Sequence, residues 1–392
     1  MEGCCMYSLY SPELTLGIVG GGQLGRMMTF EAKKLGLKVV VLDPTEQSPA
    51  AQVADEQIVS SFDDLDGYRT LAKLSDIITY EFEHIHVSGL QEIEAAGVPV
   101  RPGSATLASI QHKGKQKELL RTHGIAVPSF QYAKGYQQAA SELNKFKFPV
   151  MAKLCHGGYD GKGNILLENE SDLRKLETMA GENRELMLEK YLRFDKELSV
   201  MAAKSANGDT AVFPVVENVH KDEILHLTKA PADISSYARD QLISTAEKIL
   251  EIFSEPGIYG IEFFLLEDDS IMVNEIAPRV HNSGHYTIEA CNLCQFAVHL
   301  RSILGLPLIH PKLEKNAVMI NLLGSEQGEL PITNYDSLLT HEGVYLHLYG
   351  KQETRPGRKM GHITITGQNE QDLVSKVNNL EIIDKRGILD EL

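Results

Sequence analysis

Glu262 and Glu275 stand in the segment IEFFLLEDDSIMVNEIAPR, residues 261–279, where two strand-like runs flank the turn-forming Glu267-Asp268-Asp269-Ser270. A turn centred between Asp268 and Asp269 sets Glu262 directly opposite Glu275 on one face of the hairpin. Like charges so placed repel each other, and a cation between them removes the conflict. Hard divalent ions take oxygen ligands, and Mg2+ is commonly held by one or two carboxylates together with substrate phosphates. Asn274 offers a neutral oxygen beside the pair. The apolar neighbours Phe263, Phe264, Ile271 and Val273 set this hairpin apart from a solvated strand that carries unrelated acids.

Other segments carry the complementary charge. In MAKLCHGGYDGKGN, Lys153 ends an apolar strand, and a turn containing Gly157, Gly158, Gly161 and Gly163 follows. Backbone N–H groups of such a hairpin can approach phosphate oxygens while Lys153 adds a point charge. The register G-x-x-x-x-G-K-[ST] of a P-loop is absent. In YGKQETRPGRKMGH, the cations Lys351, Arg355, Arg358 and Lys359 gather around Pro356-Gly357. In an acidic chain this suggests an anion site on a turn, against the plain alternative of a solvated basic loop. In IAPRVHNSGHYT, Arg279 follows Glu275 closely enough to hold a small oxyanion, with His281 and His285 nearby. A hydrogen-bonded scaffold role is the alternative for His285.

A third phosphate-type element opens the chain. LGIVGGGQLGRMM, from Leu16, places Gly20, Gly22 and Gly25 in G-x-G-x-x-G register between an apolar strand and a helix. The next strand, KVVVLDP, ends in Asp43, where a dinucleotide-binding fold keeps its ribose-binding acid. A dehydrogenase has no use for the carboxylate pair, however. The loop is therefore expected to bind one phosphate at a helix N-terminus, and not a pyrophosphate.

These residues need a scaffold of two or three domains, which 392 residues allow. Residues 1–15 lack the basic start and apolar core of a secretory signal and read as a disordered extension. Over 16–112, the strands LGIVG, KVVVLD, QIVS, IITYEF and VPVRP alternate with helices, which predicts a parallel sheet covered on both faces. A single helix is expected through TLASIQHKGKQKELLRTHG, ending at Gly124. Antiparallel signals dominate 113–310, and 311–392 pairs strands around the basic turn.

Lys plus Arg total 38 against 54 Asp plus Glu, a formal charge of −16, which disfavours nucleic acid and anionic membranes as partners. No apolar run reaches the length of a membrane helix. The five cysteines form no disulfide framework. Cys291 and Cys294 fall in a helical pattern with Ile288 and Val298 and read as packing residues, consistent with a reducing cytoplasm.

In order along the chain, GGGQLGRM, TYEFE, GGYDGKG, EKYL, NEIAPRVHNSGHYT and RPGRKMGH resemble the ATP-grasp carboxylases, and specifically the N5-carboxyaminoimidazole ribonucleotide synthase family. The likeness runs from about 16 to 370. It implies an α/β and α+β architecture: a Rossmann-like pre-ATP-grasp domain, an ATP-grasp domain and a small β-rich C-terminal domain. The implied reaction consumes ATP, bicarbonate and 5-aminoimidazole ribonucleotide in purine biosynthesis, by way of carboxyphosphate.

By resemblance, Lys113 and Lys153 contact the ATP phosphates, and the backbone of Glu189, Lys190, Tyr191 and Leu192 holds adenine. Glu197 takes the ribose hydroxyls, and His220 is a further nucleotide position. The flap from His156 through Gly158, Tyr159, Asp160, Gly161 and Lys162 to Gly163 covers the triphosphate. Glu262 and Glu275, with Asn274, match the site for Mg2+ or Mn2+. Arg279 and His281 hold bicarbonate or phosphate.

The ribonucleotide is assigned to Gly21, Gly22, Gln23 and Leu24 with Lys351 and Arg358. Tyr159 lines its imidazole, and Glu83 is a lesser candidate. The family usually has Arg where this chain has Lys113, which keeps charge but loses the bidentate fork. A cytoplasmic homodimer is implied. Rival readings are a formate-dependent glycinamide ribonucleotide transformylase, a nicotinamide dehydrogenase and a non-catalytic nucleotide-binding regulator.

Overall fold

A computed structural model describes residues 13–157, 163–325, 335–380 and 389 of the chain. Thr15, at the edge of the stretch read as an extension, already begins the first strand, Thr15–Val19.

The N-terminal sheet is parallel, with strands in the order Glu56–Val59, Lys38–Asp43, Thr15–Val19, Ile77–Tyr80. TLGIV and IITY are buried throughout, as helices on both faces of a parallel sheet require. The segment VPVRP, expected as a fifth strand, contributes only an isolated parallel bridge between Val100 and Ile78. Pro99 and Pro102 bracket it, and proline cannot donate to a ladder.

Two further sheets are antiparallel. The smaller has the order Phe130–Lys134, Glu185–Lys190, Val150–Leu154, Asn164–Leu167. The larger runs Ile271–Ala277, Gly257–Leu265, Lys196–Lys204, Val216–Lys221, Ile224–Ala230, Asn316–Leu323, Lys359–Gly367, Val344–Leu348, and Thr210–Val212 pairs with Lys196–Lys204. The C-terminal strands thus extend the central sheet, because Ile224–Ala230 pairs with Asn316–Leu323.

The helix expected as one piece is two, Ser104–Gln111 and Lys113–Thr122. His112 between them is extended, at φ −92° and ψ 99°, and its side chain accepts from the Lys115 N–H as an N-cap. The cap offers the backbone a partner that a continuous helix would forgo. The break turns Lys113 toward the carboxylate hairpin.

The cysteine pair corrects a second expectation. The helix Thr287–Ala290 stops at Cys291, and Cys294 caps a new helix, Gln295–Leu304, with Sγ accepting from Ala297 N at 3.4 Å. Both cysteines are buried. Burial pushes both thiols up to about 12, so they remain protonated and unreactive.

The carboxylate hairpin pairs Glu262 with Glu275, but by a different route from the expected one. Nearer the turn, Phe263 faces Val273 and Leu265 faces Ile271, so the loop centres on Asp268. Asp268 Oδ1 accepts from the backbone N and Oγ of Ser270, and Asp269 adopts a positive φ of 63°, which Asp tolerates. The register then shifts between Glu262 and Phe263 through a β-bulge that adds Asn274. A bulge re-aims neighbouring side chains. Here Asn274 and Glu275, adjacent in sequence, both line the same cleft as Glu262.

Candidate active site

The edges of the three sheets meet around one cleft of about 980 Å³. Apart from Gly163 and the flap residues, every residue expected at the site lines it, from Gly21, Gly22, Gln23 and Leu24 to Lys351 and Arg358. Gly158, Tyr159, Asp160, Gly161 and Lys162 lie outside the described residues.

At one end, the glycine loop leads into the helix Gln23–Lys34. Its amides are partly occupied by acids. Gly22 N and Gly25 N donate to Glu81 Oε1 and Oε2 at 2.5 and 2.8 Å, and Gly21 N donates to Asp43 Oδ2 at 2.7 Å. A Cβ on Gly22 would lie 2.5 Å from Glu81 Oε1, so any side chain there would displace the carboxylate from the loop. The Glu81 carboxylate fills the place a pyrophosphate would take, and Asp43 is spent on the loop and on Thr45 N. The dinucleotide reading therefore has neither its phosphate cradle nor its ribose acid. Among the described residues the Gln23 and Leu24 N–H groups have no protein acceptor, and both residues line the cleft.

The basic turn faces this loop. Gln52 Nε2 donates to Gly350 O at 2.8 Å, and Arg26 Nη1 donates to Gln52 Oε1 at 3.0 Å, which joins the first helix to the turn. Lys351 Nζ donates to Lys359 O at 2.6 Å, and Arg358 Nη1 donates to Glu353 O at 2.6 Å. Arg355, Lys351, Arg358 and Lys359 all line the cleft.

At the centre, Lys113 Nζ donates to both oxygens of Glu275, at 2.6 and 2.5 Å. Burial pushes the Glu275 carboxyl up, but Lys113 overrides it and the net shift is downward. Glu262 is different. Burial pushes it up, and the Glu275 charge adds to this against the pull of His220. Its contacts are His281 Nε2 at 3.6 Å and Asn274 Nδ2 at 3.4 Å. Two carboxylates and an amide oxygen are hard donors on one face, and the uncompensated acid among them is what a divalent cation would relieve. The residues fit Mg2+.

Lys153 Nζ lies 2.7 Å from Glu189 Oε2 and 3.4 Å from Asn274 Oδ1. Lys117 Nζ donates to the other Glu189 oxygen at 2.5 Å from a side chain only 2% exposed. Burial would raise the Glu189 carboxyl, yet the two lysines hold it at about 2. Burial lowers Lys117 to about 8, against the pull of Glu189.

Toward the N-terminal sheet, Arg279 forms a two-pronged pair with Glu83, Nη2 to Oε1 at 2.7 Å, and its third nitrogen donates to Val280 O at 2.9 Å. Burial alone would raise Glu83, but the Arg279 charge brings it to about 2. Burial, with Arg279 beside it, lowers His281 to about 3, so it is a neutral imidazole. Its Nδ1 contacts Ser283 Oγ at 2.9 Å. His220 pairs with Glu197 on the opposite wall. His285 is fully buried against Gln295 and lines no part of the cleft, which favours its scaffold reading.

Sequence reasoning missed Glu81 and Lys117. Glu81 ends the strand run IITYE at the C-terminal edge of the parallel sheet, the edge where α/β folds place ligands. Lys117 follows Lys113 at helical i,i+4 spacing, which puts both on one face.

Comparison with known proteins covers nearly the whole chain. Residues 14–111 match the ribonucleotide synthetase preATP-grasp domain, 118–296 the ATP-grasp domain, and 317–376 the phosphoribosylaminoimidazole carboxylase C-terminal domain. The N5-carboxyaminoimidazole ribonucleotide synthase of Bacillus subtilis is 38% identical over 369 residues, covering 94% of this chain and 95% of that one. Among solved structures, the Staphylococcus aureus N5-carboxyaminoimidazole synthetase complexed with ADP has a TM-score of 0.84 at 37% identity, covering 93% of this chain and 96% of that one. The Aspergillus clavatus synthase in complex with ADP and 5-aminoimidazole ribonucleotide has a TM-score of 0.86 at 34% identity, covering 97% and 99%. The chain thus belongs to the N5-carboxyaminoimidazole ribonucleotide synthase family of ATP-grasp enzymes.

Proposed function

We propose that the cleft carries out the ATP-dependent carboxylation of 5-aminoimidazole ribonucleotide on its exocyclic amine, with bicarbonate as the carbon source. The observation that supports this most directly is the pairing of Glu262 with Glu275 opposite Lys113 and Lys153, in one cleft with the glycine loop and the basic turn. ATP lies between the two antiparallel sheets. Its adenine is held by the backbone of Glu189–Leu192, its ribose by Glu197 beside His220, and its phosphates by Lys113 and Lys153. The ribonucleotide phosphate lies at Gln23 and Leu24, with Lys351 and Arg358.

Bicarbonate is a weak electrophile. Attack by its oxygen on the γ-phosphorus expels ADP and gives carboxyphosphate. The amine then forms the N–C bond, phosphate leaves and the amine loses a proton. Glu262, Glu275 and Asn274 would hold a divalent ion, which would supply positive charge to neutralise the transferring phosphoryl. Lys113 turns from Glu275 to the phosphates when nucleotide is present, and Lys153 keeps its charge in place through Glu189. Arg279, already oriented by Glu83, offers an edge to bicarbonate, while neutral His281 offers a hydrogen bond without charge. The flap carrying Tyr159 excludes water from the intermediate.

Domains at 16–112, 113–310 and 311–392, a homodimer and a cytoplasmic setting belong to the same proposal. Among the described residues no helix is long and apolar enough to cross a membrane. The test is ADP release with each substrate omitted in turn. Full turnover is expected only with ATP, bicarbonate and the ribonucleotide together. Productive replacement of bicarbonate by formate would select the transformylase reading instead.

A further inference from the structure

Outside the cleft, the described residues hold one cluster of side chains with metal-ligand geometry. His112, His156 and Glu185 each offer one atom, and these atoms all lie within 4.8 Å of one another. His112 Nε2 is 3.4 Å from Glu185 Oε2. A tetrahedral ion with ligand bonds of about 2.0–2.1 Å separates its ligand atoms by about 3.3–3.4 Å, so this edge needs no rearrangement. The His112 and His156 rings meet edge-on, with centroids 4.7 Å apart. None of the three residues lines the active-site cleft.

We propose that His112, His156 and Glu185 form a second metal site, for Zn2+ or a related transition ion, with its fourth position open to solvent. Two imidazoles and one carboxylate suit Zn2+ and discriminate against Mg2+, which demands oxygen ligands in an octahedron. His156 and Glu185 are exposed and leave an entry path, while His112 is buried and fixed at the break between two helices.

Backbone bonds already knit the three ligands together. Cys155 N donates to Glu185 O, and Lys113 N donates to Cys155 O. The His112 proton sets the coupling. Its Nδ1 accepts from Lys115 N at 3.1 Å, so the neutral ring carries its hydrogen on Nε2, toward Glu185. Metal at Nε2 moves that hydrogen to Nδ1, with no net proton change, and releases the cap on the helix that begins at Lys113. Burial lowers the His112 pKa, with the neighbouring His156 adding to the effect.

The experiment titrates the nucleotide-free protein with Zn2+ alone in excess Mg2+, on a Cys4→Ser/Cys5→Ser background that removes the two N-terminal thiols. Co2+ serves as the visible-spectrum probe. One Zn2+ per chain is expected, with the intense d–d absorption of a four-coordinate Co2+ complex. His156→Ala and Glu185→Gln each remove one of three protein ligands. Each should weaken Zn2+ by at least about tenfold and bleach the Co2+ spectrum. Both residues are exposed, so circular dichroism should be unchanged. Zn2+ affinity and Co2+ absorption in the variants equal to those of the parent would overturn the proposal.

Discussion

Glu275→Gln is expected to reduce turnover by about 10³-fold while the protein stays folded. The substitution keeps the shape of the side chain and deletes the charge that both Lys113 and a bound divalent ion use. Removing one preorganised electrostatic contact to a developing transition-state charge typically costs 10²–10³-fold in rate, and Glu275 also holds Lys113 in place until nucleotide draws the lysine away. Folding should survive because the Glu275 side chain is 43% exposed and its strand pairing is made by the backbone. The checks are ADP release at saturating substrates and the urea midpoint. A rate within tenfold of the parent would remove Glu275 from the proposed centre.

Arg279→Ala is expected to destabilise the fold by about 3–5 kcal/mol, because it leaves the largely buried Glu83 charge without its partner. The Glu83 side chain is 18% exposed, and its pair with Arg279 joins the N-terminal sheet to the carboxylate hairpin. The pH dependence supplies a signature. Glu83 is held at about 2, below the ordinary value of 4.5. A depressed acid contributes stability that is complete above the unfolded value and is lost as pH falls from about 4.5 toward 2. The parent should lose this increment over that range, whereas in Arg279→Ala the Glu83 pKa rises and this part of the acid limb flattens. Denaturant midpoints at pH 7, 4.5 and 3 test it. Parallel pH profiles for the two proteins would contradict the assignment.

The motifs of the site were legible because they combine residue type with local spacing. The Glu262–Glu275 pairing could be read from a turn signal and strand alternation, yet the turn itself lies half a residue from its expected centre. The bulge that restores the pairing leaves no mark in composition. It depends on how Asn274 is accommodated against Gly257–Leu265, which is a matter of packing. The break at His112 was hidden for a related reason. The helical pattern is continuous across it, and only a capping bond decides that Lys113 starts a new helix. The cysteine pair packs as its apolar pattern implies, but the break between Cys291 and Cys294 is hidden, since two short helices with a buried turn share the periodicity of one.

Glu81 illustrates what local reading cannot supply. Its contact with Gly22 and Gly25 spans from one parallel strand to the loop of another, and it decides that the glycine register is not a dinucleotide cradle. Lys117 was within reach, given its spacing from Lys113. Its partner Glu189 comes from a different sheet, so the buried lysine–glutamate–lysine chain emerged only from the fold.

The central claim is that bicarbonate oxygen attacks the γ-phosphorus of ATP in this cleft. Turnover with [¹⁸O]bicarbonate tests it directly, because the bond formed in that step is the one that survives in the phosphate released later. Inorganic phosphate carrying one ¹⁸O atom per turnover is expected, formed only when the aminoimidazole ribonucleotide is present. Phosphate released without the label, alongside normal formation of the carboxylated product, would contradict it.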